Sequence, residues 1–464
     1  MSEWRTVRLG DVCDKITDGT HHSPANHPTG DYKYITAKNI KPWGLDLSDI
    51  TYIDAATHRE IYSRCDVRKN DVLYIKDGAT TGRVALNTLD EQFSLLSSVG
   101  VLRPGSSVRP KFLVYALQAP HVRDPMLDRM AGVAITRLTL KKLKDAVIPL
   151  APIDQQDAIV AEIEKQFSRL DKAVAGLKRV KGNLKRYKAA ILKAAFEGRL
   201  VPTEADLARR EGRDYETGAQ LLQRILASRD SHSQGKGKHK EPAAPDTTEL
   251  PELPEGWAWA SAEQLSAFIT KGTTPSAEKL SGDNGQVQFL KVYNLTFDGV
   301  LNYRYKPAFI SHDTHDSELA RSKVRPGDVL INIVGPPLGQ VSVVPDSIRE
   351  ANINQAIARF RPIAPLDSAF LALLLRCDDV MRWAIRRAKT TSGQSNLTLE
   401  LCRLLPLPLP PLTEQHRIVA EVDRLLSIAR EAEVEVETNL KRAQALRQSC
   451  LSSAFEPTLK ESAR

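Results

Sequence analysis

The sequence predicts an α+β protein with an internal twofold repeat: two mixed α and β domains joined by two long helices that pair as an antiparallel coiled coil. Three observations carry this reading. Leu138 to Glu197 aligns without a gap on Leu397 to Glu456, at a constant offset of 259. Short apolar runs punctuated by Gly, Asp, Asn and Pro fill residues 1–150, and the same order recurs in 254–405. Proline-rich segments then open proline-free stretches whose apolar residues recur with a period of 3.5. The resulting boundaries are 1–150 (first domain), 151–198 (first long helix), 199–253 (connector), 254–408 (second domain), 409–457 (second long helix) and 458–464 (tail).

Inside the domains the repeat persists with small insertions. Ile16-Thr-Asp-Gly-Thr20 matches Ile269-Thr-Lys-Gly-Thr273, and Lys38-Asn39-Ile40 falls opposite Tyr293-Asn294-Leu295. Val67-Arg-Lys-Asn-Asp-Val-Leu73 matches Val324-Arg-Pro-Gly-Asp-Val-Leu330, and Arg103-Pro104 matches Arg361-Pro362. The offset drifts from 253 to 259, as expected of two diverged domains that differ mainly in loop length. Tyr32 to Thr36, Val72 to Ile75, Arg83 to Asn87 and Val99 to Arg103 read as strands of the first domain. Phe289 to Val292, Val329 to Val334, Gln340 to Val344 and Ile357 to Arg361 are their counterparts. Pro110 to Gln118 reads as a short helix opened by its proline.

Ile148-Pro-Leu-Ala-Pro152 and Leu405-Pro-Leu-Pro-Leu-Pro-Pro411 act as hinges, because proline lacks the amide donor that a helix or central strand needs. Asp154 and Thr413 are placed to cap the two long helices. The first helix carries Ile163, Leu170, Leu177, Leu184 and Ile191 at every seventh position, with Phe167 and Val174 between them and Lys181 and Lys188 on the same seam. The second carries Val422, Ala429, Val436, Ala443 and Cys450, with Leu426, Glu433 and Leu440 between. Lys178, Arg179, Lys181, Lys185, Arg186 and Lys188 load the C-terminal half of the first helix. Glu431, Glu433, Glu435 and Glu437 lie nearer the N-terminal half of the second. Antiparallel pairing brings these runs together, and Lys181 with Glu433 is the seam pair expected to meet. In the connector, Gln220 to Ala227 reads as a short helix and Arg229 to Pro254 as a flexible linker.

Composition narrows the function. Hydrophobic residues at 42% and charged residues at 26% describe an ordinary soluble globular chain. A formal net charge of +8 is compatible with a polyanionic partner. Five cysteines without CxxC spacing argue against structural disulfides and zinc, and point to a reducing cytoplasm. No apolar run approaches membrane-spanning length, and the N-terminus shows no apolar signal stretch. The Gly78-Ala-Thr-Thr-Gly82 loop has neither the spacing nor the lysine of a Walker loop. Val334-Gly-Pro-Pro-Leu338 lacks the polar and aromatic flanks of an amino-methyltransferase motif and reads as a loop. His21, His22 and His27 have no counterpart in the second copy, so metal is not expected. Two copies of one unit in a basic chain imply a protein that does one thing twice, and duplex DNA is the obvious target with two similar ends.

With these residues in view, the chain resembles the specificity subunits (HsdS) of type I restriction-modification systems over nearly its whole length. The resemblance rests on the twofold domain-plus-helix repeat, Thr390-Thr-Ser-Gly-Gln394, the segment from Pro408 to Glu421, Ala194-Ala-Phe-Glu-Gly-Arg-Leu200, and Val72-Leu73 after Asn70-Asp71. The first copy departs from it, with Gly132-Val-Ala-Ile-Thr136 where the second has Ser392-Gly-Gln-Ser-Asn396. The resemblance implies two target recognition domains, each reading one half of a bipartite, asymmetric site in double-stranded DNA. The helix pair would set the spacing and dock two modification (HsdM) subunits, with restriction (HsdR) subunits in the full complex. It further implies no catalysis and no cofactor on this chain, S-adenosylmethionine on the modification subunits, and ATP and Mg2+ on the restriction subunits. The setting would be the bacterial or archaeal cytoplasm, with no membrane partner.

At ~1.5 Å per residue, the 38 residues from Ile159 to Phe196 span ~57 Å. At ~3.4 Å per base pair this limits the separation of half-site centres to ~17 base pairs. Candidate DNA contacts are polar or basic residues on loops that recur in both copies. They are Lys38, Asn39, Lys76, Thr80, Thr81 and Arg83 in the first domain, and Tyr293, Asn294, Arg304, Lys389, Thr391, Ser392 and Gln394 in the second. Candidate pairing and docking residues are Ile163, Leu170, Leu177, Lys181, Leu184, Ile191, Val422, Leu426, Glu433, Val436 and Leu440. Three rival readings stay open: a similar subunit serving another kind of methyltransferase-nuclease system, a catalytic DNA methyltransferase, and a non-catalytic scaffold whose domains bind proteins.

Overall fold

A computed structural model gives the structure and describes residues 4–128, 137–233, 241–282, 285–335, 337–391 and 394–456. The chain divides into two compact units, Met1–Arg179 with Val436–Arg464, and Val180–Glu435. The two long helices, Ile153–Phe196 and Leu412–Phe455, are 44 residues each and contribute a segment to each unit.

The first unit is built on an antiparallel sheet ordered Cys13–Asp18, Val99–Pro104, Val72–Ile75, Val84–Leu86. Every residue of Val72–Ile75 is buried because the strand serves two cores. Val72 and Tyr74 face the helix Pro110–Gln118, whereas Leu73 and Ile75 face the core that includes Ile35, Phe93 and Leu95. That is why this run is continuously apolar rather than alternating. A smaller sheet, Thr51–Ile53, Tyr32–Ile35 and Ser94–Leu95, lies beyond that second core. Leu451 and Phe455 from the last turns of the second long helix join Val160, Ile163 and Phe167 of the first in the helix-side core.

The second unit repeats the plan. Its main sheet runs Ser266–Lys271, Ile357–Pro362, Val329–Asn332, Val341–Val343. Its helix-side core takes Ile191, Ala195 and Phe196 from the first long helix and Ile418, Val422 and Leu426 from the second. The expected strand at Phe289 to Val292 is displaced to Val287–Leu290, because Val292–Asn294 winds into a 3-10 turn closed by the Asn294 side chain.

The proline hinges are strands of two-stranded ribbons, where missing donors cost nothing. Val147–Leu150 pairs with Arg5–Arg8, and Pro406–Leu409 with Ala258–Ser261. The helices begin at Ile153 and Leu412, so Asp154 and Thr413 lie inside the first turn and do not cap it. A glutamine does the local work instead. The Gln156 amide donates to the Ala151 carbonyl (2.9 Å), and the Gln415 amide to the Pro410 carbonyl (3.0 Å). Asp154 keeps a favourable place beside the positive end of the helix dipole.

Seam residues near the helix ends are core residues of the units: Ile163, Ile191, Val422 and Leu426 are buried, and Leu170 packs at the edge of the first core. Val436 is buried, whereas Leu177, Leu184 and Leu440 are half-buried. The antiparallel sense is visible within each unit. Arg447 bonds Asp171 (2.8 Å) in the first, and Lys188 bonds Glu433 (2.5 Å) in the second. Glu433 is thus held by Lys188, one heptad beyond Lys181, whose own side chain is exposed. Single changes Lys188→Ala and Glu433→Ala should therefore be non-additive, with a coupling of about 0.5–1 kcal/mol in a double-mutant cycle read by urea unfolding. Simple addition of the two losses would show that the pair does not couple.

The connector is more ordered than its composition predicts. Helices Glu204–Glu211 and Gly218–Ser233 form its first part, and the second extends the expected Gln220 to Ala227 helix in both directions. Leu221 and Ile225 are fully buried in the core of the second unit. Arg229, expected to start the linker, donates to the Ser266 carbonyl (2.9 Å). Glu414 at the start of the second long helix fastens the connector: it accepts from the Glu204 amide (2.8 Å) and the Trp257 indole (3.0 Å). Burial pushes the Glu414 carboxyl above its ordinary pKa, against those two donors. Residues 234–240 of the expected linker, with His239, and the tail 458–464 lie outside the described residues.

Candidate nucleic-acid interface

Three loops gather at one end of each main sheet. In the first unit they follow Cys13–Asp18, join Val72–Ile75 to Val84–Leu86, and enter the helix Leu140–Lys144. Register places their roots together: Gly100 lies between Asp18 and Tyr74, and Leu138 donates to the Lys76 carbonyl (2.8 Å). The second unit has the same frame, with Ala358 between Lys271 and Ile331 and Leu397 donating to the Ile333 carbonyl (2.9 Å). Isolated bridges Asp77 to Arg137 and Val334 to Asn396 join the corresponding loops in the two copies.

Glycine makes these loops possible. Gly78 and Gly82 have φ of +90° and +88°, and their counterparts Gly335 and Gly339 have +85° and +86°. Gly78 and Gly335 have nothing within 4 Å of where a Cβ would lie, so the loop crests are open. Gly19 and Gly272 are there for close approach: a Cβ would fall 1.9 Å from the Leu95 and Ile353 carbonyl oxygens respectively.

The frame recurs but its lining does not. In the first unit Asp18 is a buried hub for Lys76 (3.1 Å), Arg64 (2.5 Å) and the His21 ring (3.4 Å). The second unit has Lys271 at the Asp18 position and Ile333 at the Lys76 position. Each copy does keep one carboxylate-guanidinium fork behind the sheet. Arg103 grips Asp71 (2.9 Å) and Arg361 grips Asp328 (2.6 Å). The same carboxylates hold the Arg68 and Arg325 amides, which explains the repeated Val-Arg-x-x-Asp and Arg-Pro motifs. Hydrogen bonding to Asp71 raises the Arg103 pKa above its ordinary value.

The candidate contacts separate on this geometry. Asn39 is 1% exposed, with its oxygen on the Thr36 amide (3.0 Å) and its amide on the Asp46 carbonyl (3.1 Å). Asn294, 2% exposed, does the same for the Lys291 amide and the Asn302 and Tyr305 carbonyls. Lys76 is 1% exposed and spent on Asp18. The expectation that these three face DNA is corrected: they recur, or sit in recurring loops, because they hold turns together. Lys38 is on the surface beside Asp49 (3.0 Å), Arg83 is exposed, and Thr80 and Thr81 are half-buried in the glycine loop. Tyr293 and Arg304 are exposed, and Tyr293 meets Tyr305 edge-on at 6.0 Å. Lys389, Thr391 and Gln394 belong to the hairpin Lys389–Thr391 and Gln394–Asn396, whereas Ser392 and the Gly132 to Thr136 segment lie outside the described residues.

Sequence reasoning missed the cation-aromatic cluster in which half-buried Lys291 lies 6.0 Å from the Tyr293 ring and exposed Lys306 lies 5.3 Å from the Tyr305 ring. Its signal was the Asn302-Tyr-Arg-Tyr-Lys306 run, basic and aromatic residues interleaved. It also missed Trp43, 77% exposed on the tip of the hairpin Ile40–Lys41 and Gly44–Leu45. Among the described residues no three His, Cys, Asp or Glu side chains are grouped to hold a metal, and no helix is long and apolar enough to cross a membrane.

The helix Ala55–Arg64, against the smaller sheet, carries a pH-sensitive residue. His58 is buried, stacks on Tyr32 at 3.7 Å between centroids, and shares a hydrogen bond with Ser94 (3.0 Å). Burial lowers its pKa below 6.5. The unfolded chain therefore takes up this proton first as pH falls. The stabilisation is complete above about pH 6.5 and is lost as pH drops through the folded-state value. His58→Gln should flatten the fall in urea midpoint between about pH 7.5 and 5.5; equal slopes for variant and wild type would dismiss the effect.

Comparison with known proteins places this geometry in context. Residues 1–179 and 254–439 match the family described as type I restriction modification DNA specificity domain. The chain is 28% identical over 360 residues to the Escherichia coli type I restriction enzyme EcoBI specificity subunit, a match covering 75% of this chain and 65% of that one. It is 20% identical over 463 residues to the Escherichia coli EcoDI specificity subunit, covering 98% and 89%. A solved chain from work titled as the structural basis of complex assembly and conformational transition of the type I R-M system superposes with a TM-score of 0.64. That match has 18% identity and covers 98% of this chain and 97% of that one, so it speaks for the fold.

Proposed function

The chain belongs to the family of type I restriction-modification DNA specificity domains, and we propose that it serves as the specificity subunit of such a system. Each domain reads one half of a bipartite, asymmetric DNA site, and the long helices fix the spacing and dock two modification subunits. Restriction subunits complete the assembly. S-adenosylmethionine is held by the modification subunits, ATP and Mg2+ by the restriction subunits, and the complex works in the cytoplasm. This chain contributes recognition and no catalytic group.

The observation that carries this reading is the repeated three-loop frame with unequal lining. A common frame presents both domains to the same kind of ligand, while exposed Arg83 in the first copy stands where the second has Gln340, and exposed Lys271 in the second stands where the first buries Asp18. A surface cation present in one copy and missing at the equivalent place in the other does not favour the same base edges, so two different half-sites are expected. Exposed Arg83, Lys38 and Arg304 suit phosphates and base edges around those loops.

The test is co-expression with the modification subunit, then single-molecule sequencing of host DNA for N6-methyladenine. A split, asymmetric methylated motif that vanishes when this chain is omitted is the expected result. A stable complex with no methylated motif would instead make the chain a protein-binding scaffold.

A further inference from the structure

A pocket of about 440 Å³ opens in the second unit, where Arg325 leads into one strand and Arg361 leads out of its neighbour, away from the glycine loop. Lys323, Arg325, Arg349, Arg359 and Arg361 surround the exposed ring of Phe268, and Glu350 is the one carboxylate among the lining residues. Arg361 is neutralised by Asp328, Lys323 by Asp316, and Glu350 is engaged by the His315 ring at 3.1 Å. Arg325, Arg349 and Arg359 have no ion pair among the described residues.

Arg359 is the telling member. It is 5% exposed, yet its Nε has no partner and its hydrogen bond to the Arg321 carbonyl is long, at 3.4 Å. Its guanidinium lies 4.5 Å from the Phe268 ring centroid, with Arg361 at 4.7 Å. Burial lowers its pKa to about 10. A buried cation with no ion pair of its own, helped only by the charge of an Asp328 already bonded to Arg361, is a costly arrangement that folding alone does not favour.

The first copy supplies an internal control. Strand register puts Val101 where the second has Arg359, and Lys15 where it has Phe268. Asp66 there collects Lys15, Arg68 and Arg103, and although burial opposes it, those cations hold its carboxyl well below the ordinary range. The aligned residue in the second copy is Lys323, a base in place of the acid. One corner of the frame is thus closed by its own carboxylate, and the other is left with unmatched positive charge.

We propose that this pocket binds a phosphate oxyanion, with the Arg325, Arg349 and Arg359 guanidiniums as donors. Guanidinium forks match phosphate oxygens two at a time, and Phe268 keeps the planes of Arg359 and Arg361 in place. The phosphate comes either from a small ion or from a DNA backbone, and the inference does not depend on the domain's reading a half-site.

The test uses the full chain and the variants Arg359→Met, which keeps the stem, and Arg349→Gln on the surface. Thermal unfolding is monitored in inorganic phosphate against chloride at matched ionic strength, and duplex affinity is measured against salt. For a free ion, phosphate raises the wild-type midpoint with concentration, Arg349→Gln weakens that dependence by about tenfold, and Arg359→Met abolishes it while raising the midpoint in chloride. For a backbone phosphate, inorganic phosphate does little. Arg349→Gln then weakens specific and scrambled duplexes alike and lowers the salt slope by about 1. Variants indistinguishable from wild type in both arms would overturn the proposal. So would an Arg359→Met midpoint below wild type in chloride, since the charge would then be satisfied by the fold itself.

Discussion

Exchanging residues 1–150 for the equivalent segment of a related subunit is expected to move one half of the methylated motif to the donor's sequence and leave the other half untouched. Each mismatched base pair costs about 1–3 kcal/mol, so two changed positions already separate old and new targets by about thirtyfold or more. The exchange has a structural condition. Trp4 and Phe112 pack on Phe455 from the end of the chain, and Tyr115 packs edge-on against Phe167 at 5.7 Å. A donor that keeps large apolar side chains at those places will dock on the resident helices, and one that does not will fail by unfolding. Sequencing of N6-methyladenine reads the result, and changes in both halves of the motif would refute modular reading.

Phe455→Ala should lower the stability of the first unit by about 3–5 kcal/mol, a large part of the total for most domains. Phe455 is fully buried, 5.1 Å from Phe112 and 6.4 Å from Trp4 between ring centroids. Removing the ring opens a cavity between elements that start and end the chain. Hydrogen exchange checks it: amides in Val72–Ile75 and Val99–Pro104 should lose protection while those in Val329–Asn332 keep theirs. Equal loss in both sheets would mean that the two units do not unfold separately.

Much of the architecture was legible in the sequence because the repeat and the apolar periods are properties of the chain itself. Strands at Val72–Ile75 and Val99–Pro104, the helix Pro110–Gln118 and the two long helices all come from them. The helix Glu204–Glu211 escaped because its buried apolar residues, Ala205 and Ala208, are too small to stand out in a charged run. The helix starts escaped because Gln156 and Gln415, rather than Asp154 and Thr413, organise the turn. At the loops, recurrence was read as ligand contact, but Asn39 and Asn294 recur because both copies need the same turn closed from within. A repeat reveals what two domains share, and shared residues are chiefly those that hold the frame. The residues that differ, such as Asp18 against Lys271 and Val101 against Arg359, take on meaning once register aligns them.

The first unit is assembled from residues 4–179 and 436–456, whereas the second is one unbroken stretch, 180–435. During synthesis the ribosome therefore delivers the second unit whole, while the first waits with Phe112, Ile163 and Phe167 lacking Leu451 and Phe455. At ~5–20 residues per second, the roughly 270 residues between Arg179 and Leu451 take about 14–54 seconds to make. The domain translated first is thus the last to close. A stop or stall within the last two turns of the helix Leu412–Phe455 would leave a chain whose second unit is finished and whose first is not.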